Sequence, residues 1–235
     1  MLDIETSPLI CYTWGLYEQN VIKKLKQSTI LSVAYQWLGE KTRVIACDTL
    51  SELQLLILLH KLLDEADIVI AHNGDSFDIK KINTRFMVHK LPPPSPYKTI
   101  DTKKVAKSVA GFDSNSLNNL GLDLDEGEKI KHRGFDMWEG CMAGKKRDWA
   151  DMKRYNKKDV DLLARIYLRL RPWMKNHPDT RPSINGSCPR CNSPKVQKRG
   201  TFRNKTQVME RLQCLGCGGW FSKKIHPTAM LKSQP

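Results

Sequence analysis

The sequence predicts an α/β fold, a mixed sheet with flanking helices, followed by a small C-terminal β module. Three observations carry this. Strand-like segments come first, and helical and strand patterns then alternate, an order that builds a sheet with helices on its faces. Two Cys-x-x-Cys pairs, separated by residues 192–213, mark a module too small to fold on an apolar core. The 235 residues are enough for one good core plus such an appendage.

Residues 2–6, LDIET, read as the start of a strand. Residues 30–38 and 43–47 read as two more, with Gly39-Glu40 as the hairpin turn between them. Residues 51–64 have helical periodicity, and Ser51 fits an N-cap. Residues 67–72 are a short continuous apolar run, suited to a strand covered on both faces. Residues 77–90 read as a helix that the Pro-rich stretch 92–96 ends. A short strand at 99–102 and short helices at 103–110 and 116–120 follow. The Gly-rich, charged stretch 121–146 reads as an irregular loop, and 149–173 as the longest helix. The expected domains are 1–172, a Pro/Gly linker at 173–187, the Cys-rich module at 188–224 and a tail at 225–235.

The formal net charge is +14 and unevenly placed. Residues 181–235 carry eleven Lys/Arg against one acid, Glu210. Such a concentrated excess points to a polyanionic partner, nucleic acid above all. The chain begins directly with the acidic strand, without the basic-then-apolar lead of a secretory signal. Its most apolar stretch, 53–63, is interrupted by Gln54, His60 and Lys61 and reads as a buried helix, so no membrane partner is expected. Cys11, Cys47 and Cys141 are scattered and read as reduced thiols, which suits a cytoplasmic location.

Three acidic motifs lie in order along the first domain. They are Asp3-Ile4-Glu5, then Asn73-Gly74-Asp75-Ser76-Phe77-Asp78, then Tyr155 four residues before Asp159. Asp3 and Glu5 share one face of a strand, and Tyr155 and Asp159 one face of a helix. Four carboxylates from three distant segments can hold two divalent cations, and hard oxygen ligands suit Mg²⁺ or Mn²⁺. A phosphodiester is an anion, so carboxylates clustered near one imply metal between them. Phe77 reads equally as a nucleotide contact and as core packing. Asp101 reads as a cap of the next helix, Asp75 and Asp161 as solvated or outer residues, and His72 as a packed strand-end residue.

On these motifs the chain resembles the DEDD superfamily of 3′→5′ exonucleases, in its Tyr form. It looks most like the proofreading domain of family B DNA polymerases, with Asn73-x-x-x-Phe77-Asp78 as the second motif. The resemblance implies a ribonuclease-H-like fold over residues 1–172 and two-metal hydrolysis. Asp3 would bridge the ions, Glu5 and Asp159 would complete the attacking-water side, and Asp78 would hold the second ion. Tyr155 would orient the water, and Asn73 and Phe77 would meet the terminal nucleotide. Single-stranded DNA is the expected substrate, for a stand-alone phage-type replication or repair exonuclease that acts with or without a separate polymerase. An exoribonuclease, an endonuclease and a non-catalytic accessory protein are the other readings. Only Met1 and Leu2 precede Asp3, so the first strand is expected to be short or to begin upstream.

Cys188, Cys191, Cys214 and Cys217 have the spacing of a four-Cys structural zinc site, with a hairpin between the pairs and a third strand after them. This module resembles the zinc ribbons of transposase-like proteins. Lys195, Lys198, Arg199, Arg203, Lys205 and Arg211 are the candidate phosphate contacts. Trp220 and Phe221 read as packing within the ribbon, and the Lys23-Lys24-Lys26 run as a solvated face.

Overall fold

Alternation within Leu2-Asp3-Ile4-Glu5 lays out the first domain. In the computed structural model, which describes residues 1–17, 20–181, 186–203 and 206–225, this segment is strand β1 (Leu2–Thr6). Successive strand side chains point to opposite faces. Leu2 and Ile4 enter an apolar core, which leaves Asp3 and Glu5 on the other face. A short ribbon follows, β2 (Ile10–Tyr12) and β3 (Lys23–Lys26), and then β4 (Ile30–Tyr35) and β5 (Arg43–Ala46). The antiparallel sheet runs β1-β4-β5. All five β1 residues are paired, from Leu2 opposite Tyr35 to Thr6 opposite Ile30. The register shifts at the Glu5/Thr6 step, so Leu31 is an extra residue on β4. That bulge sends Ile30 and Val33 to one core and Leu31 to the other.

Helix α1 (Glu52–Asp64) starts at the expected Ser51 cap, which forms a reciprocal capping box with Gln54. Strand β6 (Ile68–Ala71), helix α2 (Asp78–Val88), strand β7 (Lys98–Asp101) and helix α3 (Thr102–Val109) complete a β-α-β unit and its exit. β6 and β7 are parallel, and β6 lies beside β1. The sheet is therefore mixed, built of an antiparallel and a parallel ladder. Helices α4 (Leu117–Asp123), α5 (Phe135–Met142) and α6 (Lys146–Leu170) follow. Leu55, Leu59, Ile82 and Phe86 of α1 and α2 pack against Leu2, Ile4 and Val33. Met137, Trp149, Met152 and Tyr155 of α5 and α6 pack with Leu31 and Ala46. The acidic face of β1 therefore looks toward the α5–α6 layer.

Three expectations need correction. Residues 121–146 are not one irregular loop, because they contain α5 and the end of α4. The strand expected at 30–38 stops at Tyr35, where its pairing to Leu2 and Arg43 runs out. The β2–β3 ribbon was not expected, because it is exposed on both faces and shows no apolar alternation.

The chain divides into two compact units, Met1–Tyr167 and Leu168–Pro235. In the second, β8 (Val196–Arg203), β9 (Val208–Cys214) and β10 (Trp220–Lys224) form an antiparallel sheet in the order β10-β9-β8. Lys205 and most of the tail lie outside the described residues. Among the described residues, no helix is long and apolar enough to cross a membrane.

Candidate active site

Three segments bring their acids together. Carboxylate oxygens of Asp3 and Glu5 on β1 and of Asp159 on α6 lie within 4.8 Å of one another. Asp78 stands beside them at the first turn of α2, where its Oδ1 accepts the Ile4 backbone N–H at 3.1 Å. The turn that delivers Asp78 is tight. Asn73 adopts a left-handed φ of 63°, and a Cβ on Gly74 would overlap the Ala71 side chain, so this backbone needs glycine there.

Burial and mutual repulsion raise the carboxyl pKa values. Asp3 is pushed well up by desolvation and then by Asp78, Glu5 and Asp159. Glu5 rises to about 8 through burial and the Asp159 charge, and Asp78 to about 6, mainly through burial. Asp159 also rises on burial, partly relieved by Lys129. Like charges held this close in a poorly solvated site disfavour one another's ionisation.

The Tyr155 hydroxyl hydrogen bonds with Asp159 and with Lys129. Burial and the Asp159 charge lift its pKa to about 12, so the phenol keeps its proton at neutral pH. Phe77, for which core packing was an equal expectation, is 43% exposed at the start of α2. Asp101 caps α3 by accepting from Lys103 and Lys104, and its Oδ1 also takes the Asn73 N–H at 2.9 Å. His72 is packed as expected, between Thr102 Oγ1 at 2.9 Å and the Asn115 carbonyl at 3.0 Å. Asp75 pairs with Lys104 at 2.7 Å, and Asp161 accepts from Thr42 at 2.5 Å.

Residues 1–171 match the family model of the RNase_H superfamily. The chain belongs to that superfamily. Among solved structures, the family B DNA polymerase from the hyperthermophilic archaeon Pyrobaculum calidifontis is similar in fold, with a TM-score of 0.53 at 11% identity. The likeness covers 62% of this chain and 22% of the polymerase, so the chain spans about a fifth of that protein. No curated protein matches it.

Within this RNase_H-superfamily domain, three residues join the site that sequence reading missed. Lys129 places its Nζ 2.6 Å from Asp159 Oδ2 and 4.8 Å from the centre of the Tyr155 ring. Burial works against its charge, but the Asp159 carboxylate outweighs that and raises its pKa. Asn156, fully buried, donates from Nδ2 to Asp3 Oδ2 at 2.6 Å and accepts from Ser32 Oγ at 2.9 Å. Trp138 on α5 hydrogen bonds to Glu5. Asn156 lay inside the third motif, one residue past Tyr155 on a helix, and that adjacency was its only signal. Lys129 and Trp138 sit in the stretch read as a loop and carried none. A cavity of about 320 Å³ adjoins Tyr155, lined by Lys131, His132, Arg133, Arg147 and Arg154 among others.

In the second unit the four expected cysteines converge. Cys188 Sγ lies 3.8 Å from Cys217 Sγ, and Cys191 Sγ 3.7 Å from Cys214 Sγ. These separations are too long for disulfides. They match the edge of a tetrahedron with metal–sulfur bonds of about 2.3 Å. Each pair is closed by a residue in the left-handed region, Asn192 at φ 55° and Gly218 at φ 76°. Burial opposes ionisation of Cys214, but N–H groups of Cys217 and Gly216 outweigh it and bring the thiol to about 7.

The basic residues of the ribbon differ in their engagement. Lys198 pairs with Glu210 at 2.8 Å and Arg199 donates to Gln213 at 3.0 Å. Arg211 lies over the Phe202 ring, 5.6 Å from its centre. Arg203 and Lys195 are exposed on β8 and just before it. Phe202, Arg211, Trp220 and Phe221 line an open pocket, and Trp220 is about half exposed, where it was expected to pack within the ribbon.

Proposed function

We infer that the chain is a metal-dependent 3′→5′ exonuclease of the Tyr form of the DEDD group, acting on single-stranded DNA. The observation that carries this reading is the convergence of Asp3, Glu5 and Asp159 oxygens within 4.8 Å, beside Asp78. The donor set fits a divalent cation. Among the described residues, four carboxylates, those of Asp78 and Asp159 buried and those of Asp3 and Glu5 half-buried, stand beside one ammonium, that of Lys129, and Asp159 Oδ1 is buried with no protein partner. All four are hard oxygen donors, suited to Mg²⁺ or Mn²⁺. Asp3, Glu5, Asp78 and Asp159 would hold two such ions. When bound, the ions supply an acidified water and charge stabilisation for the leaving 3′ oxygen.

The protein's own groups do the positioning. Asn156 fixes the rotamer of Asp3, and the Trp138 indole N–H steadies Glu5. Tyr155 stays protonated and serves as a hydrogen-bond donor that orients the attacking water rather than as a base. Lys129 holds Asp159 and keeps positive charge next to the developing phosphorane. Exposed Phe77, next to Asn73, offers a ring for the terminal base. The basic cavity beside Tyr155 gives the strand's phosphates a path. In the second unit, a zinc ion on Cys188, Cys191, Cys214 and Cys217 would hold the ribbon folded, and Lys195, Lys198, Arg199, Arg203, Lys205 and Arg211 would add phosphate contacts.

The test is a time course on 5′-labelled single-stranded DNA and RNA of equal sequence, with Mn²⁺ or EDTA, for wild type and Asp3→Ala. The expected result is a metal-dependent ladder that shortens from the 3′ end of DNA and is abolished in Asp3→Ala. Equal ladders from wild type and Asp3→Ala would overturn the site. Cleavage of RNA alone would reassign the substrate.

A further inference from the structure

Between Ser7 and Ser28 the chain runs out along β2 and back along β3, and the root of this ribbon is clamped. Ser7 N–H donates to the Thr29 carbonyl at 2.9 Å, Thr29 N–H to Ser7 Oγ at 2.9 Å, and Ser28 Oγ–H to the Ser7 carbonyl at 2.7 Å. Helix α2 adds two braces, Lys81 Nζ to Ser28 Oγ at 3.2 Å and Arg85 to Gln27 Oε1 at 2.9 Å. Ser7 is two residues past Glu5, and α2 begins at Asp78. The ribbon therefore grows from a rigid base shared with the acid cluster.

Beyond that base its apolar groups are unburied. Tyr12, Leu16, Val21, Ile22 and Leu25 are exposed, and Trp14 and Tyr17 are 93% and 87% exposed. Large apolar groups grouped in this way mark a binding surface, and a two-stranded ribbon has no core of its own to need them. Charge selects the partner. β3 carries Lys23, Lys24 and Lys26, all exposed, neither strand holds an acid, and Lys23 pairs across from Tyr12. Flat rings interleaved with lysines complement a polyanion whose own flat faces are free, which describes unpaired nucleotides. A duplex hides those faces in its stack.

We propose that the β2–β3 ribbon holds the unpaired strand beside the acid cluster, with Trp14 and Tyr17 stacking on bases and Lys23, Lys24 and Lys26 meeting phosphates. This rests on the reading that the substrate is a nucleic acid. The test uses the full chain without added Mg²⁺ or Mn²⁺ and without a chelator, so that binding is measured without cleavage while the four-cysteine unit keeps its metal. Fluorescence anisotropy follows unstructured DNA and RNA strands of about twelve nucleotides, a length of the order that such surfaces cover. The Trp14→Ala/Tyr17→Ala variant is expected to bind on the order of tenfold or more weakly than wild type, and Trp14→Phe to retain most of the affinity. The Lys23→Ala/Lys24→Ala/Lys26→Ala variant is expected to flatten the salt dependence by up to about two units of slope. A strand carrying 5-iodouracil should crosslink on irradiation to the peptide that contains residues 12–17. Unchanged affinity without that crosslink overturns the ribbon's role, while the 3′-shortening ladder would still support the nuclease reading. Unchanged affinity with a dimer that Trp14→Ala abolishes would assign the ribbon to a second copy of the chain. A wild-type chain that neither binds nor cleaves any strand overturns both.

Discussion

Asn156 and Asp3 come from opposite ends of the domain and meet at 2.6 Å, with Ser32 behind Asn156 at 2.9 Å. A buried amide that donates to a carboxylate holds that carboxylate in one rotamer, and groups that orient metal ligands in this way typically contribute about 10–100-fold in metal affinity or activity. Asn156→Ala is therefore expected to lower the cleavage rate by about that factor and to shift half-maximal Mn²⁺ upward, with partial recovery at high Mn²⁺. A metal titration of the rate checks this. Equal titration curves for both proteins would remove Asn156 from the site. Asp3, Glu5, Asp78 and Asp159 were legible in the sequence because residue type, spacing and element type agreed. Asn156 was not, because a polar residue in a charged helix is usually solvated. Lys129 is one of several charged residues in its stretch, with Lys131 and Arg133 close by, and only the fold puts it against Asp159.

At the scale of elements, Glu52 at the start of α1 ties three segments together. Its carboxylate accepts from Arg85 on α2 at 2.8 and 2.6 Å, takes the Ile30 N–H of β4 at 2.9 Å, and lies 3.0 Å from His89. Arg85→Met leaves that carboxylate largely enclosed without its partner and should cost roughly 3 kcal/mol, the lower end for opening such a pair. Chemical denaturation checks it. The pH dependence has a definite sign. Burial alone would raise the Glu52 pKa, but the bonds from Arg85 and Ile30 outweigh it and the folded-state value is lowered. The resulting stability is fully present above the unfolded-state value, about 4.3, and is lost as pH falls through the folded value. The melting-temperature gap between wild type and Glu52→Gln should thus be open at neutral pH and narrow as the pH falls below about 4.3. A gap that does not change with pH would assign the loss to packing. Element boundaries were legible where pattern and cap coincide, as at Ser51 and α1. Helix α5 escaped because Gly134 and Gly140 break its pattern, and it is stabilised by burying Met137 and Cys141 against α6. The β2–β3 ribbon escaped because a strand pair without a buried face leaves no period to read.

For the molecule as a whole, chemistry and charge are divided between two units. Residues 1–167 carry the acid cluster and only a small share of the net +14, while residues 168–235 hold fourteen Lys/Arg against two acids, Asp179 and Glu210. The second unit has few apolar groups to bury, and its knuckles, with Cys188 and Cys214 fully enclosed, are the part that most resembles a core. A metal bound there would supply much of that unit's folding free energy. Cys188→Ser is then expected to lose the zinc, to unfold residues 188–224, and to weaken DNA binding more than it slows cleavage of saturating substrate. It should also flatten the dependence of binding on salt, because fewer phosphates are neutralised. Metal analysis and binding at two salt concentrations check this together. Full zinc content in Cys188→Ser would remove that cysteine from the ligand set. Lost zinc with an unchanged salt slope would mean that the basic excess of the second unit meets a partner other than the strand being cut.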